Sequence, residues 1–179
     1  VVNGVPMSRD GKLLRKTGAA PGDQLVLTKP LGTGTVFAAH MQLAADGRDV
    51  DAALSSMLQS NLMAAELALA HAATACTDIT GFGLLGHLLE MLGGTLGARL
   101  DLAQLPLLPG AVEQIQAGIL STMHVANVRS AGPFLQAGAA VDEATKQMLF
   151  DPQTSGGLLI AVPAGQALAL RDALHQADY

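Results

Sequence analysis

Apolar residues along this chain fall into two kinds of pattern: short continuous runs, and stripes at helical spacing. Gln24 to Thr28 reads as a short strand that ends at Lys29-Pro30. After the turn Leu31-Gly32-Thr33-Gly34, the spacing of Val36, Ala39 and Leu43 predicts a helix from Thr35 to about Leu43. Leu54, Leu58, Leu62, Ala65 and Leu69 form one stripe, which predicts a single helix from about Asp51 to Ala72. Thr74 to Thr77 reads as a buried strand. Asp78-Ile79-Thr80-Gly81 then turns the chain into a helix near Phe82–Met91, stopped by Gly93-Gly94. Ala98 to Leu102 is expected as a further strand, and Gly110 to Ala117 as a helix after the prolines at 106 and 109. Residues 118–140 read as irregular or briefly helical. Asp142 is placed to cap a helix through about Leu149. The loop Asp151 to Gly157 feeds a strand, Leu158–Val162, and a last helix from about Ala164 to His175. Strands and helices alternate, so the class is α/β or α+β with at least two layers. Residues 1–22, with turn signals at Asn3-Gly4 and Asp10-Gly11, read as a linker or as the tail of a preceding domain; the domain proper is expected over 23–179. A chain ending on a helix leaves the sheet without a closing strand, so the end is expected to be cut short, or the sheet to be completed by a partner.

Composition narrows the classes. Half of the 179 residues are hydrophobic and 14% are charged, which predicts a sizeable core and excludes a disordered chain. With no Trp, one Tyr and four Phe, that core must be aliphatic. The formal net charge is −5 and there is no basic stripe, which argues against a nucleic-acid partner. The one cysteine, Cys76, cannot make an internal disulfide. No apolar run is long enough for a membrane span of about 20 residues, and no signal peptide is visible. A cytoplasmic setting is the expectation.

Three glycine-bearing loops carry the candidate chemistry. Leu31-Gly32-Thr33-Gly34, between a strand and a helix, is either an anion cradle of free amides or a tight turn. Asp78 follows an apolar strand and precedes a helix. It can be a Mg²⁺ ligand, shared with substrate phosphates, or Asp78 or Thr80 can simply cap the helix. Thr154, Ser155, Gly156 and Gly157 offer hydroxyls and unusual backbone shapes, for a phosphate or for their own turn. Elsewhere, Cys76 reads as a small core residue rather than a nucleophile. His71 and His87 lack the partners of a zinc site. Ser121, Thr122, His124 and Asn127 are close enough in sequence to line a pocket.

Taken together, the loops resemble a known family. Lys29 to Gly34 is similar to the KPLGTG motif of the selenophosphate synthetase family. Thr77 to His87 is similar to its TDxTGFGLLGH, Leu105 to Gly110 to its PxLPG segment, and Leu149 to Leu159 to its LxDPQTSGGLL. Order and separation agree from about Gly22 to Val162. The wider group includes aminoimidazole ribonucleotide synthetase.

The resemblance implies an α+β C-terminal domain: a mixed sheet packed with helices, closing over a Mg²⁺–ATP site in an N-terminal domain that also forms the family's homodimer. It implies an enzyme that makes selenophosphate from selenide, ATP and water, with AMP and phosphate as products. Asp78 becomes the expected Mg²⁺ ligand. Thr77, Thr80, Gly81 and Gly83 become candidate nucleotide contacts, ATP being the substrate. The family's catalytic Cys or selenocysteine and its Lys lie in a segment absent here, so this chain alone is expected to be inactive. The rival expectations are a related synthetase or kinase acting on a purine or thiamine precursor, and a non-catalytic interaction module.

Overall fold

The computed structural model describes residues 13–138 and 141–179. The turn signals at Asn3-Gly4 and Asp10-Gly11, and most of the expected linker, lie outside the described residues. Three strands form one sheet: β1 (Gln24–Leu27), β2 (Ala75–Asp78) and β3 (Leu158–Val162). Their order is β1-β3-β2 and both pairings are antiparallel, with Leu25 opposite Ala161 and Cys76 opposite Ile160. The α+β class therefore holds. A parallel contact enters only as the isolated bridge between Leu31 and Leu107. Beside β2, the Cys76 N–H donates to the Arg15 carbonyl.

β3 is the middle strand and all five of its residues are buried, as a continuous apolar run covered on both faces requires. One face carries Leu25, Leu27, Leu159, Ala161 and Ala75 against helix α4 (Gly83–Leu92), through Leu84, Leu88 and Met91. The opposite face carries Val26, Ile160 and Val162. It packs on Ala64 and Ala68 of α3 (Leu62–Ala70), and on Leu170 and Leu174 of α8 (Ala164–Gln176). A satellite cluster of Val36, Ala53, Leu108, Ala111, Ile115 and Met148 joins α1 (Thr33–Met41) and α2 (Gly47–Leu58) to α5 (Ala111–Gln116) and α7 (Glu143–Gln147). The remaining helix, α6 (His124–Ala131), packs on α4. Among the described residues no helix is long and apolar enough to cross a membrane.

Two expected elements differ. The single helix over 51–72 is two helices, α2 and α3, and α2 starts earlier, where the Asp46 carboxylate accepts from the Arg48 N–H. The expected stripe does not face the core, since Leu54, Leu58 and Leu62 are exposed and α2 packs through Val50 and Ala53, and the helix is interrupted where distant groups claim the backbone at 59–61. Gln59 is extended (φ −63°, ψ 124°), and its carbonyl accepts from the Lys29 ammonium at 2.6 Å. The Ser60 carbonyl accepts from the Tyr179 hydroxyl, and the Asn61 amide donates to the Gly156 carbonyl at 2.9 Å. The expected strand at 98–102 is absent. Asp101 there caps a short 3-10 turn, Leu102–Gln104, accepting from the Ala103 N–H. The stops and caps expected at Gly93 (φ 60°) and Asp142 are present.

Candidate functional site: a junction of three loops

The antiparallel pairing of β1 and β2 with β3 brings the three glycine-bearing loops to one end of the sheet. The first is held by the third. Gln153 Oε1 accepts from the Gly32 N–H (3.1 Å), the Thr33 N–H (3.2 Å) and the Thr33 hydroxyl (3.1 Å). The Asp151 carboxylate accepts from the Gly34 N–H (3.1 Å) and the Thr35 hydroxyl (2.8 Å). The amides that make a helix start attractive to an anion are thus answered from within the chain. Of the two sequence readings of Gly32–Gly34, the tight turn is the one realised, with a protein carboxylate seated where an anion would go. Burial raises the Asp151 pKa; the Thr35 and Gln153 hydrogen bonds and the nearby His124 only partly offset it.

The first loop also buries a cation. Lys29 is 2% exposed, and its ammonium donates to the carbonyls of Gln59 and Ser155 (3.1 Å). Burial lowers its pKa. Lys29 is therefore a tether between the α2–α3 break and the third loop.

The second loop is laced to the third by backbone bonds. The Ile79 N–H donates to the Gly157 carbonyl (2.9 Å), and the Gln153 N–H to the Thr80 carbonyl (3.0 Å). Asn127 adds a side chain, donating to the carbonyls of Gly81 (2.8 Å) and Phe150 (2.9 Å). Thr80 is hydrogen-bonded through its hydroxyl to His87 Nε2 (3.1 Å), and its carbonyl also receives the Gly83 N–H (3.0 Å). Gly83 has φ 70°, a left-handed conformation that disfavours a side chain. Thr77 is buried, with its hydroxyl 3.3 Å from the Asp78 carbonyl. Gly81 faces open space, and Phe82 is 56% exposed.

Asp78 is the exception in this junction. It ends β2, is exposed, and among the described residues its carboxylate accepts no hydrogen bond and pairs with no cation. The capping alternative fails for Asp78 and Thr80 alike: the N-cap of α4 is Phe82, and no side chain bonds there. The strand end therefore presents a carboxylate whose two oxygens are unengaged among the described residues. Magnesium takes oxygen ligands, commonly one or two carboxylates with substrate phosphates completing the shell. Asp78 fits as one such ligand. It cannot hold a metal by itself, because among the described residues no three His, Cys, Asp or Glu side chains gather at metal-binding distance.

The other sequence candidates are structural. His71 Nδ1 lies 2.9 Å from the Leu67 carbonyl of its own helix. His124 is buried against Phe150, with Nε2 2.7 Å from Gln147 Oε1. It does not combine with Asn127 into an open pocket. Cys76 packs in the core beneath α3 and α8. Burial, and secondarily the Asp78 carboxylate, push its thiol up to about 12. At pH 8 a thiol reagent is expected to label it on the order of a thousandfold more slowly in the folded chain than in denaturant, because only the thiolate reacts. Equal labelling rates would contradict this placement.

Sequence reasoning missed the internal capping of α1 by Asp151 and Gln153. It named Asn127 without its partners. The available signal was compositional: a buried-looking loop with Asp, Gln and Thr close together, opposite a helix start that has no capping side chain of its own.

A three-stranded antiparallel sheet with helices on both faces and a three-loop junction at one end defines the class. The chain belongs to the family described as AIR synthase related protein, C-terminal domain, which matches residues 20–179. Its relatives include proteins named selenide, water dikinase. That of Pseudomonas straminea is 37% identical over 97% of this chain and 47% of the relative. That of Shewanella baltica (strain OS223) is 42% identical over 88% and 45%. The corresponding protein of Pelobacter propionicus is 42% identical over 91% and 47%. The chain thus spans about half the length of these relatives. Among solved structures, thiamine-monophosphate kinase from Stenotrophomonas maltophilia K279a superposes with a TM-score of 0.52 at 18% identity, over 94% of this chain and 48% of that one. That likeness concerns the fold.

Proposed function

We propose that this chain is the C-terminal domain of a selenide, water dikinase, which makes selenophosphate, AMP and phosphate from selenide, ATP and water. The domain closes over a Mg²⁺–ATP site built mainly by the preceding half of the protein. The observation that carries this reading is the Asp78 carboxylate: exposed, unengaged among the described residues, and placed at the end of a strand whose following loop is tied to the third loop and to Asn127. The names of the relatives support the reaction, and their length supports a further domain. Asp78 would share a magnesium ion with the substrate's phosphates. When bound, that ion screens polyphosphate charge and stabilises charge that develops in phosphoryl transfer. Thr77, Thr80, Gly81 and Gly83 shape the same turn, and Gly81 leaves room for a nucleotide to approach.

In the parent protein, Asp78→Ala is expected to cut selenide-dependent ATP consumption by at least about a hundredfold, because a lost metal ligand removes several kcal/mol of transition-state stabilisation. The unfolding free energy from a urea titration should change by less than about 0.5 kcal/mol, since the carboxylate being removed is exposed and has no partner among the described residues. Wild-type turnover in this variant would defeat the proposal. A screen of the parent protein with selenide, against purine and thiamine precursors, decides between this substrate and those of related synthetases.

A further inference from the structure

Asn127 is a polar residue on the buried face of a helix. It is 4% exposed, and α6 turns His124, Asn127 and Ala131 inward together. Ala131 and Val128 fix that helix in the main core. From there both hydrogens of one side-chain amide reach backbone carbonyls in two loops, Gly81 at 2.8 Å and Phe150 at 2.9 Å. Gly81 stands three residues after Asp78, and Phe150 immediately precedes Asp151, whose carboxylate caps α1. The other ties between these loops, Ile79 to Gly157 and Gln153 to Thr80, are backbone bonds that any sequence could make. Asn127 contributes a donor pair that depends on one side chain. The bond to Phe150 is buried and that to Gly81 partly so; a buried carbonyl left without its donor costs enough to shift a loop, and an error of about 1 Å at a reacting centre can cost on the order of a hundredfold in rate.

We infer that Asn127 is a positioning residue: its amide pins the Gly81 and Phe150 carbonyls, and so sets where the turn after Asp78 holds that carboxylate relative to the third loop. This deepens the proposed function and rests on it only for the catalytic part of the test.

Two variants of the parent protein and two readouts test it. Asn127→Ala removes both donors. Asn127→Asp keeps the shape but replaces the amide by a carboxyl, which can donate one hydrogen only when protonated. In hydrogen exchange, both variants at pH 8 should lose at least tenfold protection at the amides of residues 79–83, while β3 keeps its protection. In turnover, both should fall at least tenfold at pH 8. Relative to wild type measured at each pH, Asn127→Asp should recover severalfold between pH 8 and pH 6, and Asn127→Ala should not. Unchanged protection at 79–83 overturns the inference, whatever the turnover. So does an Asn127→Asp profile parallel to that of Asn127→Ala, because a filler of space alone would give no recovery. If Asp78→Ala retains activity while Asn127→Ala loosens 79–83, the metal assignment fails and the loop assignment survives.

Discussion

Gln153→Ala is expected to lower the unfolding free energy by about 3–5 kcal/mol, among the larger effects that a single substitution can have. The side chain is buried and all of its hydrogen-bonding capacity on the first and third loops is in use. Its oxygen takes the Gly32 and Thr33 amides and the Thr33 hydroxyl; its nitrogen gives to the Asp151 carbonyl (2.8 Å) and carboxylate (3.0 Å). Alanine leaves two helix-start amides without acceptors and takes a donor away from a buried carboxylate. Each such orphan costs roughly 1–3 kcal/mol, and water entering the vacated space recovers part of it. The check is a urea titration, in which the midpoint falls while the slope is kept. A shift under about 1 kcal/mol would mean that these bonds are readily replaced by solvent.

The second large effect is steric. A Cβ on Gly156 would fall inside the van der Waals envelope of the Ile79 carbonyl oxygen, 2.9 Å from Gln153 Cβ and 3.2 Å from the Ile79 carbonyl carbon. Most of these obstacles are backbone, so no rotamer change relieves them. Ile79 cannot retreat, because its own N–H is bonded to the Gly157 carbonyl and the β2–β3 ladder begins beside it at Asp78 and Leu158. Gly156→Ala should therefore destabilise by about 3 kcal/mol. Gly47→Ala is the matched control. It stands at the start of α2 with nothing near its would-be Cβ, and there alanine should be neutral or stabilise by up to about 1 kcal/mol. Equal responses at the two positions would show that the junction is not close-packed.

What could be read from the sequence followed the range of the forces involved. The three strands, the Gly93 stop and the Asp142 cap depend on neighbours within a few residues, and they stand where local rules put them. The break between α2 and α3 was illegible because its cause is distant: Lys29 and Tyr179 claim carbonyls that a continuous helix would have used. Helix α6 was illegible for another reason. Its buried face carries His124 and Asn127, so a search for apolar periodicity finds no stripe. In the site, the exposed strand-end carboxylate of Asp78 was visible from position alone. Local rules also favoured Asp or Thr as the cap of α4, whereas α4 starts at Gly83, with Phe82 as its N-cap and the Thr80–Gly83 turn leading into it. The occupation of the first loop by Asp151 and Gln153 spans about 120 residues of chain, and only the fold reveals it.

The middle strand of the sheet is made late. Among the described residues neither β1 nor β2 has a strand to pair with until Leu158–Val162 has left the ribosome, the Arg15 carbonyl giving β2 a single bond at its outer edge, and only then can the first and third loops meet. Their closure must wait for nearly the whole span from Gln24 to Val162, a topology dominated by long-range pairing that folds slowly. During synthesis the apolar faces of β1, β2 and α4 therefore stay open to water, and translation speed and chaperone supply will govern how much of the chain reaches its folded form.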